Sequence, residues 1–386
     1  MAGAEGPMLP ASAAELRASL LDWYDGARRR LPWRAEPGED PDSYRVLVSE
    51  IMLQQTTVAT VQGRFSHFVE RFPDLRSLAS APVDDVLHAW QGLGYYRRAR
   101  ALHAAARAAV ERHDGALPRD VATLESLPGL GPYTAAAIAA MAFGRPAVPV
   151  DGNVARVLAR LAAVELPLPS GLASLRRLAS GFAATDRAGD FAQAVIELGA
   201  LVCRPRAPAC LTCPWRGACR AQAQGDPERF PLRGARKERP EKFSVVFLLR
   251  RGDGAILFRR RPDKEILGGM IELPSSPWTP QPLDPAAALP FAPVEADWRA
   301  VPGTVRHVFT HLALNATVLT GSIGDGESGL WCPPDQFADL ALPTLTRRLL
   351  EHGAAASAAA GRPPSSAPRT ESRRPASGPR RRSPPG

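Results

Sequence analysis

Between two apolar helical stretches the chain reads Leu127-Pro-Gly-Leu-Gly-Pro-Tyr-Thr134. This order predicts a helix end, a glycine turn and a new helix starting near Pro132, because proline fits a first helical position and glycine accepts the angles of a tight turn. Gly129 and Gly131 leave backbone N–H groups bare, and the helix start that follows adds partial positive charge. The segment therefore suits a phosphate, as well as serving as an ordinary connection. Around it the text is helical, with apolar residues at three- and four-residue spacing over 11–23, 44–56, 58–72, 83–88, 96–111, 133–143, 152–162 and 191–203. Residues 12–228 are read as one mainly α domain.

Past this domain the period changes. A stretch rich in Arg, Pro, Gly and Glu ends at Lys242 without periodicity, and residues 229–242 are read as a linker. Phe243–Leu249 and Ala255–Phe258 then flank Gly252-Asp253-Gly254 as strand, turn and strand, residues 305–320 alternate, and residues 342–350 suggest a closing helix, which makes residues 243–352 an α+β domain. Residues 353–386 hold Ala, Pro, Ser and Arg without a large apolar side chain, so a disordered tail is expected there. That tail carries seven Arg against one Glu, most of the chain's formal charge of +9, so the basic balance permits a nucleic-acid partner without proving one. No apolar run long enough for a signal peptide or a membrane span follows a charged start, and a cytoplasmic protein is expected.

Two acids and four cysteines stand out. Glu50 lies within Val46-Leu-Val-Ser-Glu-Ile-Met-Leu53, a helix apolar on most sides, and Asp151 follows Ala147-Val-Pro-Val150 at a helix start. A salt-bridged rim residue and a helix cap account for them as readily as catalysis does. Cys203, Cys210, Cys213 and Cys219 fall within 17 positions as C-x6-C-x2-C-x5-C. Four thiolates favour a soft metal, and both zinc and an iron-sulfur cluster are candidates. His307 and His311 alone are weak evidence of function.

These segments together resemble the adenine DNA glycosylases of the MutY type, within the endonuclease III superfamily. The match lies in Leu31-Pro-Trp-Arg34, Glu50-Ile-Met-Leu-Gln-Gln-Thr56, Trp90-Gln-Gly-Leu-Gly-Tyr-Tyr-x-Arg-Ala-Arg100, the hairpin at 127–134, Val150-Asp-Gly-Asn-Val-Ala-Arg156 and the cysteine spacing. The resemblance implies a mainly α glycosylase domain with a helix-hairpin-helix and an iron-sulfur loop at 203–219, followed by an α+β Nudix-like domain. It implies one [4Fe-4S] cluster on Cys203, Cys210, Cys213 and Cys219. Glu50 would protonate adenine, Asp151 would stabilise the sugar cation, and Tyr133 and Asn153 would orient the two acids. Arg34, Gln54, Gln55, Thr56, Leu93 and Tyr95 would face DNA together with Gly129 and Gly131, with Tyr95 wedging into the base stack. In the second domain Leu267-Gly-Gly-Met-Ile-Glu-Leu-Pro274 resembles the family's Gly-Gly turn, and Phe309, Thr310 and His311 would read 8-oxoguanine. The expected partner is double-stranded DNA carrying A:8-oxoguanine or A:G mispairs, acted on by a monomer in base excision repair at the nucleoid.

Two departures sharpen this expectation. Residues 1–236 contain no lysine, so the catalytic domain cannot supply the Schiff-base amine of strand-cleaving relatives and Tyr133 stands at its hairpin position. The Nudix catalytic helix, with its paired Glu residues, is missing after Pro274, so no diphosphohydrolase activity is expected.

Overall fold

Polar caps set where the site-bearing helices begin. Asp42 starts the helix Ser43–Leu53 by accepting from the Tyr44 and Arg45 amides at 2.8 and 3.2 Å, and Asp151 starts Gly152–Leu161 by accepting from the Val154 amide at 2.7 Å. Pro132–Phe143 begins differently: Gly131 precedes a proline in the first turn, and no side chain caps the helix start. The computed structural model describes residues 11–360 apart from 233, 235–237, 263, 264 and 325–327.

The helices build two cores. Ser43–Leu53, Val58–Arg71 and Arg97–His113 pack around Phe65, Phe68 and Trp90; Ala13–Ala27, Gly152–Leu161, Leu172–Ser180 and Ala188–Glu197 pack around Tyr24, Phe182 and Phe191. Pro132–Phe143 joins them, touching Ser43–Leu53 on one side and Ala188–Glu197 on the other. Its Ala135, Ala137, Ala139 and Ala140 are wholly buried, and such short side chains let neighbouring helices come close from several directions. A cleft lies between the two cores, and Tyr133, near the start of this shared helix, stands on its wall.

The second domain is a mixed sheet of β1 (Glu241–Arg251), β2 (Ile256–Arg260), β3 (Ile271–Glu272), β4 (Arg299–Ala300), β5 (Val305–Val308), β6 (Ala313–Ile323) and β7 (Leu330–Cys332). The spine of the order is β3-β2-β1-β6-β4, with β1 and β6 parallel and the other pairs antiparallel. The continuous apolar run in β1 reflects burial on both faces. Val246 and Leu248 face the core closed by Leu345 and Leu349 of the helix Thr344–Ala360, while Val245 and Phe247 face Ala288 and Trp298.

The structure departs from the sequence reading at two places. The stretch read as a linker from residue 229 begins as packed structure: Phe230 is buried in the second helical core, and the Leu168 amide donates to the Leu232 carbonyl at 2.9 Å. Its far end, Glu241 and Lys242, already belongs to β1. The closing helix also runs on to Ala360, into the start of the segment expected to be a disordered tail, because its alanines favour helix; the rest of that segment, 361–386, lies outside the described residues. A hydrophobic anchor in a proline-rich connector has a measurable consequence: Phe230→Ala should lower the unfolding free energy of the helical part by about 3–5 kcal/mol in chemical denaturation.

Candidate active site and nucleic-acid interface

Glu50, Tyr133, Asp151 and Asn153 line one cavity of about 830 Å³ between the two helical cores, together with Arg34, Gln54, Gln55 and Thr56. Glu50 projects from Ser43–Leu53 and is only 6% exposed. The Tyr133 hydroxyl donates to Glu50 Oε2 at 2.8 Å. Burial pushes the Glu50 carboxyl up to about 7; the Tyr133 hydrogen bond pulls against this, nearby Asp151 adds to it, and Arg34 opposes it. A carboxyl so placed holds a proton near neutrality that an exposed one would lose.

Asp151 has the opposite setting. Its Oδ1 accepts from the Val154 amide and its Oδ2 from Asn153 Nδ2 at 3.1 Å, so two donors fix the carboxylate at a positive helix end. Arg156 in turn donates to Asn153 Oδ1 at 2.9 Å and to the carbonyls of Gly199 and Cys203 at 2.8 Å each. Asn153 can thus show only its amide nitrogen to Asp151. A side chain at Gly199 would meet Asn153 Cβ at 2.7 Å, which explains a glycine in the wider helical turn Leu198–Val202. Glu197, fully buried, accepts from Arg29 Nε at 2.8 Å and pairs with Arg34 Nη1 at 2.7 Å, holding both guanidinium groups on the cavity wall.

The DNA-facing expectations divide. Gln54 donates to Thr134 Oγ1 at 3.1 Å, while Gln55 and Tyr95 are exposed with left-handed backbones, φ 56° and 48°. Leu93 goes inward: it is 4% exposed, and its side chain belongs to the first core. Gly129 has φ 77°, and a Cβ there would strike Ala101 Cβ at 2.4 Å, so close packing as well as the turn demands glycine. Gly131 stands exposed at the uncapped helix start. In the second domain Phe309 packs on Trp278 with ring centroids 5.6 Å apart, whereas Thr310 and His311 are exposed. The Tyr95 hydroxyl and Thr310 Oγ1 lie 3.4 Å apart, so the loop before the helix Arg97–His113 meets the loop after β5 in the second domain.

Arg98, Glu197, Arg29 and Arg156 were not singled out in the sequence. Buried Arg98 donates to the carbonyls of Ile51, Met52 and Gln54 at the end of the Glu50 helix, to Thr56 Oγ1, and to the Leu93 and Gly94 carbonyls. Burial lowers its pKa to about 10, so it stays charged at neutral pH. The available signal for Glu197 was the one that exposed Glu50, a lone acid in the apolar stretch Phe191–Ala200.

The cofactor expectation needs correction. Cys203, Cys210, Cys213 and Cys219 line a common cavity, but among the described residues no group of three or more His, Cys, Asp or Glu side chains is arranged to hold a metal ion. Burial pushes the Cys213 thiol up to about 12 and raises Cys219. Arg160 organises the segment instead, donating to the carbonyls of Arg204, Pro205 and Phe230 and to Cys203 Sγ at 3.4 Å.

Residues 48–174 match the HhH-GPD superfamily of base excision DNA repair proteins, and residues 245–352 match the NUDIX domain. The chain is 35% identical to the adenine DNA glycosylase of Homo sapiens over 404 residues, covering 88% of this chain and 74% of the human protein. The chain belongs to the adenine DNA glycosylase family. A mouse member is 34% identical over 88% of this chain and 78% of its own length, and one from Mycolicibacterium smegmatis is 43% identical over 52% of this chain and 69% of its own. Adenine DNA glycosylases are N-glycosyl hydrolases, and DNA is therefore the substrate. No helix of the described residues is long and apolar enough to cross a membrane.

Arg98→Ala should destabilise the protein by about 3 kcal/mol in denaturant, since the carbonyls it serves lose a charged donor. Arg98→Lys should recover only part of this, because an ammonium lacks the planar fork that reaches both loops.

Proposed function

We propose that this glycosylase excises adenine mispaired with 8-oxoguanine, or with guanine, in duplex DNA, and that it does so as a monomer by hydrolysis alone, leaving an abasic site. The observation that carries this reading is the pairing, in one cavity, of a carboxyl whose pKa burial lifts to about 7 with a carboxylate fixed by two donors. Adenine is a poor leaving group until it is protonated. Glu50 delivers that proton to a ring nitrogen of the extruded base, and the C1′–N9 bond then breaks with both electrons going to adenine. Asp151 stabilises the positive charge left on the sugar, a water adds to C1′, and Glu50 accepts the proton that the water sheds. Tyr133 orients Glu50 and sets its acidity, and Asn153 does the same for the direction of Asp151.

Around this centre Gly129 and Gly131 at the uncapped helix start would take a phosphate, and Arg34, Gln54, Gln55 and Thr56 would hold the displaced nucleotide. Exposed Tyr95 suits a wedge in the stack. Its contact with Thr310 brings the second domain to the wedge, which supports Phe309, Thr310 and His311 as the reader of the opposite base. Without a lysine before Lys237, no amine is at hand for strand cleavage.

Two experiments test this. Glu50→Gln and Asp151→Asn should each slow single-turnover adenine excision by about 100- to 10,000-fold with duplex affinity retained, and wild-type excision should fall as pH rises past the Glu50 pKa. Tyr133→Phe removes the hydrogen bond that favours the Glu50 anion, so the alkaline limb should move to higher pH; a shift to lower pH would remove Tyr133 from this role. For the reader, replacing Thr310 and His311 together with Ala should erode the preference for A:8-oxoguanine over A:G by roughly 1–3 kcal/mol. An unchanged ratio of single-turnover rates on the two mispairs would overturn the reader assignment.

A further inference from the structure

The cavity that holds Glu50 is longer than its chemistry requires. Two helices each line it along a whole face: Val46, Ser49, Glu50 and Leu53 from Ser43–Leu53, and Gly189, Gln193 and Ile196 from Ala188–Glu197. Spacings of three and four residues are what one helical face presents. With about 1.5 Å of rise per residue, the two ends of Ser43–Leu53 lie about 15 Å apart. A volume of about 830 Å³ would enclose a drug-sized ligand, and a purine base fills only part of it.

Packing on Pro132–Phe143 shows which end is which. Gln54 reaches Thr134 and Tyr133 reaches Glu50, so the acid lies by the start of that helix, and the lining beside it is exposed at Gln55 and Gly152. Gly189 packs at the other end of the same helix: a Cβ there would stand 3.1 Å from the Ala140 carbonyl oxygen and 3.2 Å from Met141 Cα. At that end the lining is exposed again, at Asp25, Arg187, Glu36 and Glu39, while Val46, Ser49 and Met141 between the ends are buried. Arg28 donates to the Ala35 carbonyl at 2.7 Å, which joins the segment of Asp25 to that of Glu36 around one rim. The cavity thus has a mouth at each end of its long axis.

The far mouth is tied by charge. Arg187 pairs with Asp25, at the end of Ala13–Ala27, and with Asp190 at 2.9 Å. These side chains are a third to a half exposed, and such pairs hold weakly, so the tie opens without unpacking a core. Inside it, Gln193 is folded back on its own helix, donating to the Gly189 carbonyl at 3.3 Å, which leaves the bore beside it clear. We infer that freed adenine leaves through this far mouth, between Asp25 and Arg187, while the abasic duplex still covers the other. This route presupposes that Glu50 and Asp151 excise adenine from duplex DNA as proposed above. A small neutral base passes the buried waist, whereas the duplex stays on the outer surface, so the protein sheds one product and keeps the other.

Single-turnover excision by the full chain on an immobilised A:8-oxoguanine duplex with radiolabelled adenine tests the route, with alkali-revealed excision, label in solution and protein retained on the duplex followed together. Label should appear in solution after excision and well before protein leaves the duplex. Gln193→Trp, which fills the bore, should leave the excision rate unchanged and slow the release of label by roughly tenfold. Arg187→Ala, which unties the mouth, should shorten the lag between excision and release, a gain that misfolding cannot imitate. Label that leaves only when the protein does, a lag that Gln193→Trp does not lengthen, or one that Arg187→Ala does not shorten would each overturn the route while excision itself stands. Absence of excision by the wild type would overturn the proposed function, and this route with it.

Discussion

A single guanidinium, that of Arg98, holds together the end of the Glu50 helix and the Gly92–Gly94 loop. The carbonyls it serves lie where a helix has run out of amide partners and where the chain turns through left-handed angles at Gln55 and Tyr95. Such angles cost a non-glycine residue about 1 kcal/mol or more, and they persist only where the surroundings compel them. With six acceptors on one planar fork, and with the Trp90 and Tyr95 rings near it, the residue fixes both loops relative to the acid. The exposed tips inherit their positions from a buried cation.

Electrostatic contrast within the cleft follows from ordinary local structure. Glu50 is buried in mid-helix, where few dipoles favour a charge; Asp151 sits at a helix start, where they do. Two identical functional groups thereby stand in different settings, one raised in pKa by burial and the other held by two hydrogen-bond donors. The buried Glu197 contributes at one remove, since it gathers Arg29 and Arg34 onto a wall they would otherwise leave for solvent.

Much of this was legible in the sequence, for physical reasons that differ from residue to residue. Glu50 announced itself by its apolar neighbours, the hairpin by its glycines, and β1 by an apolar run too short for a long helix. The helices Leu75–Ser80, Val121–Glu125 and Leu172–Ser180 passed unnoticed because their periodicity is brief or their polar content high. Phe230 was obscured by its setting among Arg and Pro. Arg98 and Arg156 were beyond reach: an arginine's acceptors are carbonyls, which every residue carries, so only the fold reveals which ones it gathers. The cysteines show the converse hazard, since spacing along a chain says nothing of how the fold sets the sulfurs relative to one another.

The alanine-lined helix Pro132–Phe143 buries its side chains in the first core and packs against Ala188–Glu197, which carries Phe191 and Val195 of the second. A hinge motion between lobes packed in this way would open voids beside wholly buried methyl groups. Such packing resists a change in cleft width, which puts the distortion needed to bring a nucleotide into it on the DNA. Base pairs differ in how readily they unstack and kink, and a mispair yields more easily than a matched one. A protein packed in this way meets the compliance of the duplex before any atom of the base is touched, so the mechanics of the nucleic acid enter its encounter with DNA.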